Sequence, residues 1–216
     1  MRILIVTGGK LEEDFAQNYL KKEKFDRVIA ADSGLSHCKK IGVVPTDILG
    51  DFDSLKDKEL LQEYKNMGVP VRTFPTRKDY TDTHLAMMYA KDLHPEEVIV
   101  FGATGTRLDH MLANIGMLEY MAEYGISCKI VDAHNEVELL VGDLQKKYKK
   151  PKDKAFFSLV AWNDKVTGID LEGFSYPLKN GVLETAISQG ISNEILEEYG
   201  VLRMKSGKLL VIQSRD

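Results

Sequence analysis

Residues 45–55 read P-T-D-I-L-G-D-F-D-S-L, and the reading of this stretch decides the fold. Ile48 and Leu49 form the apolar end of a short buried strand, and Gly50 lets the chain turn there without a Cβ clash. Asp51 and Asp53 then emerge together at the carboxyl end of that strand, with Asp47 a few residues before them. In an open α/β sheet the ligand crevice lies at the carboxyl ends of the strands, so acidic side chains there are placed to hold a hard cation. Alone, the segment reads equally well as an Asp-rich turn. Its neighbours separate the two readings.

Outward from this stretch, short apolar runs alternate with segments of helical spacing. Strands are predicted at 3–6, 28–31, 47–49, 69–74, 98–101 and 127–131, with helices at 12–22, 33–41, 56–67, 81–93 and 109–124. Such alternation predicts a mostly parallel sheet with helices on both faces. Ser54 and Thr81 are candidate helix caps, and the helix N-termini behind them would turn free N–H groups toward the same crevice. After Val141 the pattern changes. Residues 145–154, Q-K-K-Y-K-K-P-K-D-K, are basic and interrupted by Pro151, which reads as a linker or exposed hairpin. Beyond it only strand-like runs follow, at 155–162, 165–171, 182–188, 191–195, 198–205 and 208–213, with turn signals at Asn163-Asp164, Asn180-Gly181 and Ser206-Gly207. The expected organisation is therefore an α/β catalytic domain over 1–144, a basic linker over 145–154 and an antiparallel all-β sandwich over 155–216.

Composition agrees with a globular chain. Of 216 residues, 44% are hydrophobic and 29% charged, enough to build a sizeable core. The formal net charge of −4 with dispersed Lys and Arg argues against a nucleic-acid-binding surface. The opening M-R-I-L-I-V-T-G-G-K reads as a first strand, because its apolar core is too short for a signal peptide. No apolar run approaches the ~18 residues a membrane span requires. Cys38 and Cys128 form no C-x-x-C pair and are expected to be reduced and buried, in a cytoplasmic protein.

The predicted strand ends carry the chemistry: Asp32-Ser33-Gly34, then Asp51-Phe52-Asp53, then Lys78-Asp79-Tyr80-Thr81-Asp82, and last Gly102 to His110 with Gly105, Arg107 and Asp109. Carboxylates gathered in one crevice repel one another unless a cation sits among them, and Mg²⁺ shared with phosphate oxygens meets that need. Gly102 and Gly105 allow backbone N–H groups close to phosphate, and the planar fork of Arg107 can clamp its oxygens. Arg107 and Asp109 can equally pair with each other as a structural ion pair.

The motifs A-D-S-G, P-T-D-I-L-G-D-F-D-S-L, K-D-Y-T-D-T-H-L-A, G-A-T-G-T-R-L-D-H-M-L-A-N and the later G-I-S-N-E-I resemble, in that order, those of the thiamine pyrophosphokinase (thiamine diphosphokinase) family. The resemblance spans nearly the whole chain and is most specific in the acidic and arginine motifs. It implies transfer of a diphosphate from ATP to the thiamine hydroxyl, giving AMP, by a homodimer whose active sites lie between the first domain of one subunit and the sandwich of the other. It implies that Asp32, Asp51, Asp53 and Asp82 are the metal and catalytic carboxylates, with Asp51, Asp53 and Asp82 holding Mg²⁺ and acting in catalysis with Arg107. Asp32, Lys78, Asp79, Thr81, Gly102, Gly105 and Asp109 fall near the nucleotide by the same likeness. In the sandwich, Ser192 and Asn193 match a thiamine-contacting Ser-Asn pair, and Tyr176 stands where some relatives carry a tryptophan that stacks on thiamine. Either Asp82 or Asp53 would serve as general base. Rival readings are a diphosphokinase for another heterocyclic alcohol, such as a pterin, and a non-catalytic nucleotide or thiamine binding module.

Overall fold

The computed structural model describes residues 1–53, 55, 57–74 and 79–216, so Ser54 and Lys78 lie outside the described residues. The chain divides into two compact units, Met1–Ala133 and His134–Asp216.

The first unit contains strands β1 (Arg2–Val6), β2 (Arg27–Ala31), β3 (Asp47–Gly50), β4 (Val71–Thr73), β5 (Glu97–Phe101) and β6 (Ser127–Val131). They lie in the order β4-β3-β2-β1-β5-β6, and every recorded pairing among them is parallel. The helices between them are α1 (Glu13–Lys22), α2 (Gly34–Ile41), α3 (Lys58–Asn66), α4 (Asp82–Asp92) and α5 (Leu108–Glu123). Strands such as R-V-I-A-A are buried over nearly their whole length, as a sheet covered on both faces requires. One face packs Leu4, Val28 and Ile48 against Ala16 of α1, Leu35 and Cys38 of α2, and Leu60 and Tyr64 of α3. Helices α4 and α5 contact each other, and α4 also contacts β1, β2 and β3. Local chemistry sets the helix ends. Gly42 closes α2 in the left-handed region at φ 73°, the side chain of Asp57 caps α3 by accepting from the Leu60 N–H, and Thr81 Oγ1 accepts from the His84 N–H at the start of α4.

The second unit contains β7 (Asn135–Val141), β8 (Leu144–Lys149), β9 (Phe156–Ala161), β10 (Val166–Glu172), β11 (Leu178–Leu183), β12 (Tyr199–Met204) and β13 (Lys208–Ser214). β13 pairs antiparallel with both β7 and β9, and a four-stranded sheet runs β11-β10-β12-β8. Leu140, Phe157, Leu159, Leu209 and Val211 from the first set share one core with Tyr148, Ile169, Leu171, Leu202 and Met204 from the second, which makes this unit a sandwich.

The sequence and the structure part in several places. The first unit closes at Ala133, short of 144, and β7 passes unrecognised by periodicity. The first half of the basic stretch read as a linker over 145–154 is strand β8, paired with β12 from Leu144 to Lys149. β8 lies at the end of its sheet, and lysines there discourage pairing with another chain. Asn180-Gly181 and Ser206-Gly207 read from the sequence as hairpin-like turns, but the first makes an irregularity within β11, where the Asn180 N–H donates to Asp170 Oδ1 at 2.7 Å, and the second joins β12 to β13, which lie in different sheets. The expected strands at 182–188 and 191–195 reduce to the end of β11 and to single bridges, Phe157 with Asn193 and Phe174 with Ile195.

Candidate active site

Strand β1 lies between β2 and β5, so the crossovers from β1 to β2 and from β5 to β6 run in opposite directions along the sheet. Such a switch point opens a crevice. Here it is a cleft of about 520 Å³, lined by Thr7 to Lys10 after β1, Asp32 and Ser33 after β2, Thr81 to Thr83 at the start of α4, and Gly102 to Arg107 after β5.

The two walls are joined through main chain. Gly9 N–H donates to Gly102 O at 2.8 Å, Lys10 N–H donates to Thr104 O at 2.8 Å, and the Thr7 hydroxyl donates to Gly102 O at 2.8 Å. Buried Asn114 donates its Nδ2–H to Ala103 O at 2.8 Å. The Thr104 hydroxyl donates to Asp132 Oδ2 at 2.7 Å, and His37 Nε2 lies 2.8 Å from Gly9 O, so that nitrogen carries the proton. Glycine is required for this approach: a Cβ on Gly9 would overlap the carbonyl oxygens of Gly102 and Thr104. Because a trans peptide holds C=O and the next N–H antiparallel, fixing the carbonyls of 102–104 also fixes the N–H groups of 103–105 in the opposite direction.

Acidic groups meet beside this cleft. Asp32, Asp51 and Asp53 each offer a carboxylate oxygen within 4.8 Å of the others; Asp32 is buried, Asp51 half-buried and Asp53 exposed. The D-F-D spacing explains the arrangement. Phe52 is buried in the core with φ 59°, which turns its two neighbours away from that core, and Asp53 N–H donates to Asp51 Oδ1 at 3.2 Å. Asp32 also takes a left-handed φ of 49°, uncommon without glycine and often found at functional turns. Such an all-oxygen group suits a hard cation. Asp82, read from the sequence as a partner of Asp51 and Asp53, is not in this group among the described residues; it begins α4 and lines the cleft. Asp47 departs further: it starts β3 at the end opposite Gly50, is 2% exposed, and accepts from Tyr89 and Thr46 at 2.8 and 2.7 Å. Its role is structural.

Arg107 stands at the N-cap position of α5 without a side-chain cap bond and forks onto Asp109, with Nε–Oδ1 at 3.2 Å and the second contact at 2.6 Å. The guanidinium holds the Asp109 carboxyl down to about 2. Thus the ion pair that the sequence left open exists, at the mouth of the cleft. Thr81 and Gly105 line the cleft, and Asp79 is exposed just before α4. In the second unit Tyr176 is 71% exposed, Ser192 is exposed with φ 62°, and Asn193 is buried, its side chain bonded to main chain. Sequence reading missed Gly8, Gly9, Lys10, His37, Asn114 and Asp132. The glycine pair after the first strand was a visible signal; Asp132 had none.

A doubly wound parallel sheet with glycine-rich and acidic loops at its switch point, followed by an all-β unit, places the chain among two-unit α/β proteins with a ligand cleft. Comparison with known proteins narrows this. Residues 16–130 match the family model for the thiamin pyrophosphokinase catalytic domain, and residues 146–209 match its vitamin B1 binding domain. A thiamine pyrophosphokinase of Bacillus subtilis is 29% identical over 189 residues, covering 87% of each chain. The crystal structure of the Bacillus subtilis enzyme superposes with a TM-score of 0.91 at 27% identity over 100% of both chains. That of the Geobacillus thermodenitrificans protein gives 0.84 at 28% identity, covering 100% of this chain and 98% of the other. The chain belongs to the thiamin pyrophosphokinase family.

Proposed function

We propose that this protein transfers a diphosphate group from ATP to the hydroxyl of thiamine, forming thiamine diphosphate and AMP. The observation that carries the reading is the convergence of Asp32, Asp51 and Asp53 beside a glycine-walled cleft, in a chain whose two parts match both domains of the family.

The thiamine oxygen attacks the β-phosphorus, the bond from that phosphorus to the oxygen of the α-phosphate breaks, and AMP leaves with the electron pair. The hydroxyl proton passes to a carboxylate. Asp82 suits this task because it lines the cleft outside the three-carboxylate group, whereas Asp53 would share its oxygen with a cation. Asp32, Asp51 and Asp53 would hold Mg²⁺, which neutralises charge on the carboxylates and on the phosphates. Amide N–H groups of the Gly102–Arg107 loop receive phosphate, and Arg107 exchanges Asp109 for a phosphate oxygen as ATP enters. Asp79 and Lys78 are assigned to the nucleotide side by family likeness. Rate acceleration comes from positioning and charge stabilisation.

Thiamine carries a permanent positive charge, so the exposed Tyr176 ring adds about 0.5 to 2 kcal/mol of cation–π attraction, and Ser192 of the Ser-Asn pair is assigned to thiamine by family likeness. We place the active site between the α/β unit of one subunit and the β unit of another, in a cytoplasmic homodimer. Exposed Leu108 and Leu112 on α5, at 60% and 53%, support a protein partner for that helix. Among the described residues no helix is long and apolar enough to cross a membrane. The test is incubation of purified protein with ATP, Mg²⁺ and thiamine: stoichiometric AMP and thiamine diphosphate are expected, and the absence of AMP overturns the proposal.

A further inference from the structure

Asn193 occupies the centre of an irregular segment that bonds to both of its neighbours. Its N–H and C=O exchange hydrogen bonds with Phe157 of β9 at 3.1 and 2.6 Å, and Glu194 O accepts from the Ser175 N–H at 2.9 Å. The side chain works in the same direction. Oδ1 accepts from the Tyr176 N–H at 2.9 Å and from the Glu194 N–H at 2.8 Å, and Nδ2 donates to Tyr176 O at 2.8 Å.

A side-chain amide has two acceptor positions and two donors. Here both acceptors and one donor are committed to backbone, and the residue is only 6% exposed. Asn193 therefore binds the N–H and the C=O of a single residue, as a neighbouring strand would. Both dihedrals of Tyr176 are pinned by that pair of bonds. Pro177 follows Tyr176 and independently restricts its ψ to extended values. The backbone of Tyr176 is thus fixed while its ring stands 71% exposed.

We infer that Asn193 is a positioning residue: it acts on the substrate through Tyr176, by setting the direction in which the ring leaves the chain, and does not itself touch thiamine. The inference rests on the proposed function, with Tyr176 as the aromatic contact to thiamine. Preorganising that ring removes an ordering cost at binding.

A double-mutant cycle on KM for thiamine tests this. Tyr176→Ala is expected to raise KM by roughly 2- to 30-fold, the range spanned by a cation–π contact. Asn193→Ala should raise KM by a similar or smaller factor while kcat changes less than ~2-fold, the signature of lost binding without lost chemistry. In the Tyr176→Ala background, Asn193→Ala should add less than ~2-fold, because nothing remains for it to position. Asn193→Asp keeps an acceptor for both N–H groups but sets a carboxylate oxygen against Tyr176 O in place of the donor, so it too should raise KM. If Asn193→Ala does not fold, the cycle is completed with Asn193→Asp, whose penalty on KM should also vanish when Tyr176 is Ala. Penalties that multiply in the double variant, or a wild-type KM in Asn193→Ala, overturn the inference while the enzyme remains active. A wild-type protein that makes no AMP with thiamine removes the functional reading and this inference with it.

Discussion

In the α/β unit the cleft is held by peptide groups, Gly9 and Lys10 N–H bonded to the carbonyls of Gly102 and Thr104, whereas in the β unit one buried side chain, Asn193, holds the backbone behind an exposed ring. The difference follows from the sheets. Parallel strands end side by side, so their loops emerge in register and can pair backbone to backbone. Among the described residues, 173–175 pair only through the single bridge of Phe174 with Ile195 and a few bonds around it, and at Tyr176 a side-chain amide completes the hydrogen bonds. A site that handles phosphate gains from rigid amide dipoles, and a site that holds an organic cation gains from a well-aimed ring.

This division predicts different kinds of damage. The largest effect belongs to the carboxylates: Asp53→Asn is expected to lower kcat by at least ~100-fold. Its melting temperature should stay near that of wild type, since Asp53 is exposed. Comparable loss of kcat in Tyr176→Ala would abolish the distinction between the units. A middle effect belongs to the stitched wall. Gly9→Ala drives a Cβ into the Gly102 and Thr104 carbonyls, and should cost about 1–3 kcal/mol in urea unfolding together with a fall in activity; unchanged stability would mean that the wall is not rigid.

The smallest effect belongs to the exposed fork of Arg107 and Asp109. The Asp109 carboxyl is held down to about 2 by that guanidinium, below an ordinary value of about 3.9. A depressed carboxyl contributes stability that is present above its unfolded value and lost as pH falls through the folded one. Wild type should therefore exceed Asp109→Asn slightly in melting temperature near pH 6, by no more than ~3 °C because solvent screens the pair. The difference should fade between about pH 4 and pH 2. A pH-independent gap would assign the effect to something other than the ion pair.

Reading the residues in order recovered much of this architecture, and its failures have physical causes. Most of the parallel strands were legible because they centre on a short apolar run between turn signals, as in R-V-I-A-A and E-V-I-V-F. β8 was not, because a sandwich edge strand needs only one apolar face, and L-Q-K-K-Y-K carries its apolar groups at Leu144 and Tyr148 among lysines. The Tyr148 hydroxyl donates to Glu138 on β7 at 2.9 Å, a partner that local composition could not name. Within the site, Ile48 and Leu49 were legible as the apolar strand end ahead of the acidic pair. The glycine pair at 8–9 was visible but received no role, because its importance arises from β5, nearly a hundred residues away.

From the sequence alone came the succession of α/β and all-β parts, the acidic tip at Asp51 and Asp53, the glycine and arginine loop after the fifth strand, and a family likeness carried by those motifs. These are properties of neighbours along the chain, and the periods of 2.0 and 3.6 residues register them directly. Only the tertiary structure could gather carboxylate oxygens of Asp32, Asp51 and Asp53 into one group, leave Asp82 outside it, bond the buried Asp47 to Tyr89, and bury Asn193 against the backbone of Tyr176. Which strand tips are adjacent depends on the order of strands in the sheet, and which polar groups are committed depends on burial. Both are set by packing between segments distant in sequence.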